Sequence, residues 1–211
     1  MNLDGSIAIF QYWNRLRDGR PAPRQVEIKP ADIKTVLADT FILERARSGA
    51  TFRLAGTRVC AIYGREMRGS SFDGLWTDGD QRLISPFVHG VFGAGKVVTL
   101  SFEGLTRNGR TEQFEMMMLP LDAGPKSTRC LGLVSAETKP FWLGADPVVA
   151  ARVESVRAVD PASEPEPRPS KRTEIGAPAL APTMLPADED IGKPRSRRIR
   201  HLVVLEGGRK E

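Results

Sequence analysis

A chain of 211 residues with 40% hydrophobic residues can bury one sizeable core, and a formal net charge of +5 over that length describes a locally basic chain, not a uniformly basic one. No stretch approaches the roughly 18 consecutive apolar residues of a membrane-spanning helix. The start MNLDGSIAIFQYW lacks the basic-then-apolar order of a secretory leader, so a cytoplasmic protein without a membrane partner is expected.

In chain order, SIAIFQYWNRLR at 6–17 places Ile9, Phe10, Trp13 and Leu16 on one stripe at helical spacing, and Asp18 and Gly19 end the run. GRPAPRQVEIKP is too proline-rich for helix. PADIKTVLAD, with Pro30 at a first helical position and Asp32 in the first turn, predicts a second short helix. TFILERA and TFRLAGT read as two strands joined at Ser48 and Gly49. Short helical pieces follow at 57–63 and around Phe72 to Trp76. A longer helix over about 79–93 carries Leu83, Ile84, Phe87, Val88 and Val91 on one side and stops at Gly93 and Gly95. Gly56, Gly64 and Gly69 read as turns and helix stops with positive φ. Their spacing fits no phosphate-binding loop.

The remaining strands are KVVTLSFEGLTR and RTEQFEMMMLPL, flanking Asn108 and Gly109, and then TRCLGLVSAE. Asn-Gly between alternating strands is the strongest short hairpin signal. A two-residue turn there sets Leu100 opposite Met117, Val98 opposite Leu119 and Phe102 opposite Glu115, all on one face. Glu115 then points into an apolar face, as a ligand anchor, a proton-sensitive switch, or a carboxylate held by a backbone amide or an arginine. The other face mixes Thr99, Ser101 and Glu103 with Met118, Met116 and Phe114, and the opening helix with Trp13 is the available cover. Helices between two sets of adjacent strands give an α+β fold with one antiparallel sheet.

The ordered set YWNRLRDGRPAPRQVEIKPADI, FRLAGTRVCAIYGREMRGSSFDGLW, GRTEQFEMMMLPL, RCLGLVSA and PFWLGADPV, spread over residues 10–158, resembles the PAS superfamily, and within it the alphaproteobacterial subfamily of small stand-alone PAS proteins. That resemblance implies a five-stranded sheet of order 2-1-5-4-3 cupped by helices around a small cavity. It also implies a sensory or interaction role without catalysis, and dimers formed through an N-terminal helix. Ile9, Phe10, Trp13 and Leu16 are the candidate dimer contacts, and Cys60, Tyr63, Phe87, Val91, Leu100, Phe102, Glu115 and Met117 the candidate cup lining.

Flavin-binding relatives carry a cysteine in an NCRFLQ-type loop, whereas RVCAIYG around Cys60 lacks the Asn, Arg and Gln, and with no His or Lys nearby Cys60 reads as a packed thiol. Haem-binding relatives use a histidine on the long helix. At roughly 100° per residue His89 falls opposite the apolar stripe, beside Arg82 and Ser85. The only other histidine, His201, is in the tail, and Cys60 and Cys130 are too isolated to make a metal site or an expected disulfide. Neither haem nor flavin is expected, and the cofactor, if any, is left open. The three methionines Met116, Met117 and Met118 alternate across both faces as adaptable packing, and Trp76 and Trp142 read as plugs at sheet and helix edges. No nucleophile stands beside a base, so no enzyme is expected.

The chain divides into N-terminal helices and connector (1–39), a PAS core (40–158), a flexible linker (159–196) and a basic, apolar end (197–211). Eight of the sixteen prolines fall between Pro161 and Pro194. Arg195, Arg197, Arg198 and Arg200 beside LVVL form a candidate partner-contacting tail. RPSKR supplies the first half of a cyclic-di-GMP motif at Arg168 and Arg172 but no second half, and nucleic acid is not expected as a partner. Two readings remain: a regulatory homodimer whose cup binds a small apolar or weakly acidic metabolite, and an adaptor whose cup is filled by its own side chains.

Overall fold

The computed structural model describes residues 3–47, 49–124, 128–162, 196–199 and 202–205. It divides into two compact units, Met1–Ser170 and Lys171–Glu211. In the second, β7 (Ser196–Ile199) and β8 (Leu202–Leu205) form an antiparallel pair. Arg197 and Arg198 lie on β7, whereas Arg195, Arg200 and linker residues 163–195 lie outside the described residues.

The first unit opens with α1 (Asp4–Arg17), stopped at Asp18, which adopts a left-handed conformation with φ of 47°. The connector forms 3-10 turns at Gln25–Glu27, Pro30–Ile33 and Leu37–Asp39 in place of the expected second helix. Then come β1 (Thr40–Arg45), β2 (Ala50–Ala55), α2 (Thr57–Tyr63), a 3-10 turn at Asp73–Leu75, and α3 (Asp78–Ala94). The strands β3 (Val97–Thr106), β4 (Thr111–Asp122), β5 (Thr128–Ala136) and β6 (Val148–Val159) complete it. The expected order 2-1-5-4-3 is present and is extended by one strand: the six-stranded sheet runs β2-β1-β5-β4-β3-β6. Among the described residues no helix is long and apolar enough to cross a membrane.

The β3–β4 register differs from the expected one by a single residue, and the turn is the reason. Thr106 and Arg110 close a loop of Arg107, Asn108 and Gly109: the Thr106 amide donates to the Arg110 carbonyl (2.8 Å) and the Gly109 amide to the Thr106 carbonyl (3.1 Å), with Gly109 at φ +77°. This is a three-residue hairpin with glycine in the left-handed position, not a two-residue turn. Leu100 therefore faces Met116, Val98 faces Met118 and Phe102 faces Phe114. A one-residue slip sends every β4 side chain to the opposite face.

Both sheet faces consequently carry a buried core. The concave face packs Leu43, Phe52, Leu100, Phe102, Phe114, Met116 and Met118 against Val59, Tyr63, Ile84, Val88 and Val91 of α2 and α3. The convex face packs Met117, Leu119, Leu131 and Leu133 against Ile9, Phe10, Tyr12 and Trp13 of α1. The helix thus covers the sheet as expected. The indole of Trp13 is 0% exposed and donates to the Pro120 carbonyl at 2.7 Å.

Candidate functional site

The cup is formed by the concave sheet face, α2, the turn after Phe72, and α3. Gly64, at φ +62°, stops α2 so that Tyr63 ends it pointing into the cup cluster. The Thr77 hydroxyl accepts the Asp80 amide at 3.3 Å and starts α3, whose inward residues are Ile84, Val88 and Val91. Leu83 departs from the expected stripe: it is 49% exposed. His89 is exposed, with Nδ1 2.8 Å from the Ser85 carbonyl, on the side away from the cup.

A continuous aromatic row fills the middle. Phe41, Phe52, Phe72, Trp76, Phe102 and Phe114 follow one another with ring centroids 5.4, 6.0, 5.7, 5.1 and 5.0 Å apart. Most contacts are edge-on or tilted, the favoured arrangement of rings that each carry a negative face and a positive edge. Trp76 is more than the expected plug at an edge. Its backbone pairs with Ala151 at the sheet edge, while its indole lies inside the cup between Phe72 and Phe102.

Two donors in this core lack acceptors: among the described residues neither the Tyr63 hydroxyl nor the Trp76 Nε1 has a hydrogen-bond partner. A buried donor without a partner costs about 1–3 kcal/mol, so such atoms are rare. Burial also pushes the Tyr63 hydroxyl far above its ordinary range, with Arg65 opposing weakly, so Tyr63 is a neutral donor. Cys130 is likewise buried and its thiol is pushed up to about 12.

Of the expected cup residues, Tyr63, Val91, Leu100 and Phe102 belong to the cup core, and Cys60 and Phe87 are half-buried against it. The Cys60 sulfur is 3.8 Å from the Glu66 carboxylate and 4.0 Å from the Ala55 carbonyl, with no cation at these contacts. Met117 and Glu115 do not belong to the cup. The register puts both on the convex face, where Met117 is 0% exposed among α1 residues and Glu115 accepts the Leu3 amide at 3.3 Å. The expected dimer contacts need the same correction. Ile9, Phe10 and Trp13 are buried against the chain's own sheet, with Leu16 packed beside them, so this stripe is not a free surface for a second subunit. Gly56 also differs: its φ is −69°, and it is glycine because a Cβ there would strike the Ala38 carbonyl.

Two cavities adjoin the start of α1. One of about 430 Å³ lies between α1, α2 and the segment after β5, with the Arg58–Asp39 ion pair, Glu137 and Lys139 in its wall. The other, about 250 Å³, is lined by Ser101, Gln113, Glu115, Glu137 and Glu154. Neither is lined by Phe87, Val91, Leu100 or Phe102. Among the described residues no three His, Cys, Asp or Glu side chains gather in a way that could hold a metal ion.

No curated protein matches the chain. A family model described as a PAS domain (PAS_5) matches residues 1–135, from α1 to the penultimate residue of β5, and β6 lies beyond the match. The sheet order and the helices closing one face agree with that match, and the chain belongs to the PAS domain family.

Proposed function

We propose that this chain is a non-enzymatic sensory and regulatory protein of the bacterial cytoplasm, whose cup takes a small molecule bearing a hydrogen-bond acceptor. Membership of the PAS family supports a signalling role in general terms. The observation that carries the finer reading is the pair of unpartnered buried donors, Tyr63 Oη and Trp76 Nε1, in one core cluster. A carboxylate or carbonyl ligand would accept from them, and its arrival or loss would alter the packing of α2 and of the Phe72–Trp76 segment. Signal output then passes through a homodimer or a separate protein partner. Because the Ile9, Phe10, Trp13 and Leu16 stripe of α1 is packed within its own fold, a subunit contact would use other residues.

The aromatic row favours a second reading, in which the cup is closed by its own side chains and the chain is an adaptor that meets its partner through residues 197–211. Native mass spectrometry of freshly purified protein separates the two. A retained small-molecule mass that disappears in Tyr63→Phe/Trp76→Phe supports the sensor. The bare chain mass, at any subunit count, supports the adaptor, and turnover of a substrate by the isolated chain would remove both.

A further inference from the structure

The convex sheet face is only partly covered by α1. From β2 across to β4 a row of aliphatic side chains crosses it: Leu54 pairs with Ile42, Ile42 with Leu131, and Leu131 with Leu119. Leu119 lies under α1, but the β1–β2 end of the row does not. A bulge creates this end. Ile42 pairs with Leu54 and Leu43 with Phe52, leaving Arg53 as the extra residue, so Leu54 turns to the convex face while Phe52 stays in the cup. The 3-10 segment roofs the uncovered part with Ile28, Ile33 and Leu37. A groove of about 640 Å³ is left between roof and sheet, within the roughly 300–1,000 Å³ of ordinary small-molecule sites.

Its wall is mainly apolar, interrupted by Gln25, Thr40 and Thr57, and Leu54 (55% exposed) and Leu37 (40%) remain open to solvent on it. Lys34 is the single ionisable residue of the lining, and among the described residues it makes no ion pair. Two neighbouring pairs of charges are matched: Arg58 with Asp39, and Arg129, whose guanidinium also donates to Gln25 of the lining, with Glu44. A mainly apolar trough whose lining carries one exposed cation, Lys34, is complementary to a chain that is greasy along its length and carries one anionic end. We infer that this groove binds a medium- or long-chain aliphatic carboxylate, its tail on Ile42, Leu54 and Leu131 and its head at Lys34. The site is separate from the cup, although Phe41 belongs both to its wall and to the cup core.

Titration calorimetry of the full chain with dodecanoate and with dodecanol, both below their micelle concentrations, tests this. One-to-one binding of dodecanoate is expected. Lys34→Glu should weaken dodecanoate about tenfold and dodecanol less than twofold, Leu54→Glu should weaken both at least tenfold, and Tyr63→Phe should change neither. Leu54 is half-exposed, so circular dichroism should be unaltered, and Leu37→Glu replaces it if it is not. Absence of one-to-one binding, binding indifferent to both groove variants, or binding only to vesicles of phosphatidylcholine and phosphatidylglycerol would overturn the inference. None of these would touch the cup, whose ligand is read by loss of mass in the Tyr63→Phe/Trp76→Phe protein.

Discussion

Replacing Trp13 probes whether α1 belongs to the fold or serves as a contact between subunits. The indole is fully buried against the convex face, stacks at 6.2 Å on Phe10, and donates to the Pro120 carbonyl at 2.7 Å. Trp13→Phe keeps most of the apolar bulk and removes the donor. The Pro120 carbonyl, which lies beyond the stretch of β4 paired with β3, is left without that bond, at a cost of about 1–3 kcal/mol. Trp13→Ala also opens a cavity between helix and sheet, and large-to-small changes of this kind cost about 3–5 kcal/mol. Urea unfolding followed by circular dichroism should show the midpoint falling in the order wild type, Phe, Ala. Light scattering on the folded variants should show an unchanged subunit number. An unaltered midpoint, or a change of subunit number at unaltered stability, would refute the placement of this helix.

Three further changes address the sheet and the cup rim. Phe114→Ala should cost about 3–5 kcal/mol in the same unfolding assay, because its ring stacks on Phe102 at 5.0 Å; a cost below about 1 kcal/mol would favour the two-residue turn that sends Phe114 to the half-polar face. Gly132→Ala should destabilise by about 1–3 kcal/mol through overpacking, since a Cβ there would run into the Phe41 ring; thermal melting that matches wild type would contradict that contact. Burial raises the Asp73 carboxyl above its ordinary 3.8, against the opposing effect of His89. The folded state therefore holds the Asp73 proton more tightly than the unfolded chain, and stability falls as pH rises from the ordinary value through the raised one. Asp73→Asn should match wild type below about pH 3.8 and exceed it above that raised value; a variant less stable than wild type at neutral pH would reverse the assignment.

Most of the architecture is legible in the residues because hydrophobic period tracks the element. The stripe of Ile9, Phe10 and Trp13, the alternation in TFILERA and KVVTLSFEGL, and the stop at Gly64 each correspond to an observed element. The register was not legible, because Asn108 and Gly109 serve a two-residue and a three-residue hairpin equally well. The choice rests on how Thr106 and Arg110 close the loop. That single residue decided which of Glu115 and Phe114, and which of Met117 and Met116, entered the cup. Strand β6 is not legible in the residues for a related reason. Its pairing with β3 is interrupted beside Val149 and again at Glu154, so its buried or half-buried residues Val148, Ala151, Val153 and Val156 never keep a period of two. That Tyr63 and Trp76 find no partner among the described residues carries no sequence signal, since it depends on the packing around them.

The indole proton of Trp76 reports most directly on whether the cup is a binding site. In ¹H–¹⁵N spectra of freshly purified protein, its resonance should shift when the chain is unfolded, stripped of small molecules and refolded, while that of Trp13, already bonded to Pro120, should stay in place. Identical Trp76 resonances before and after stripping, in a protein that has refolded completely, would contradict a ligand in the cup.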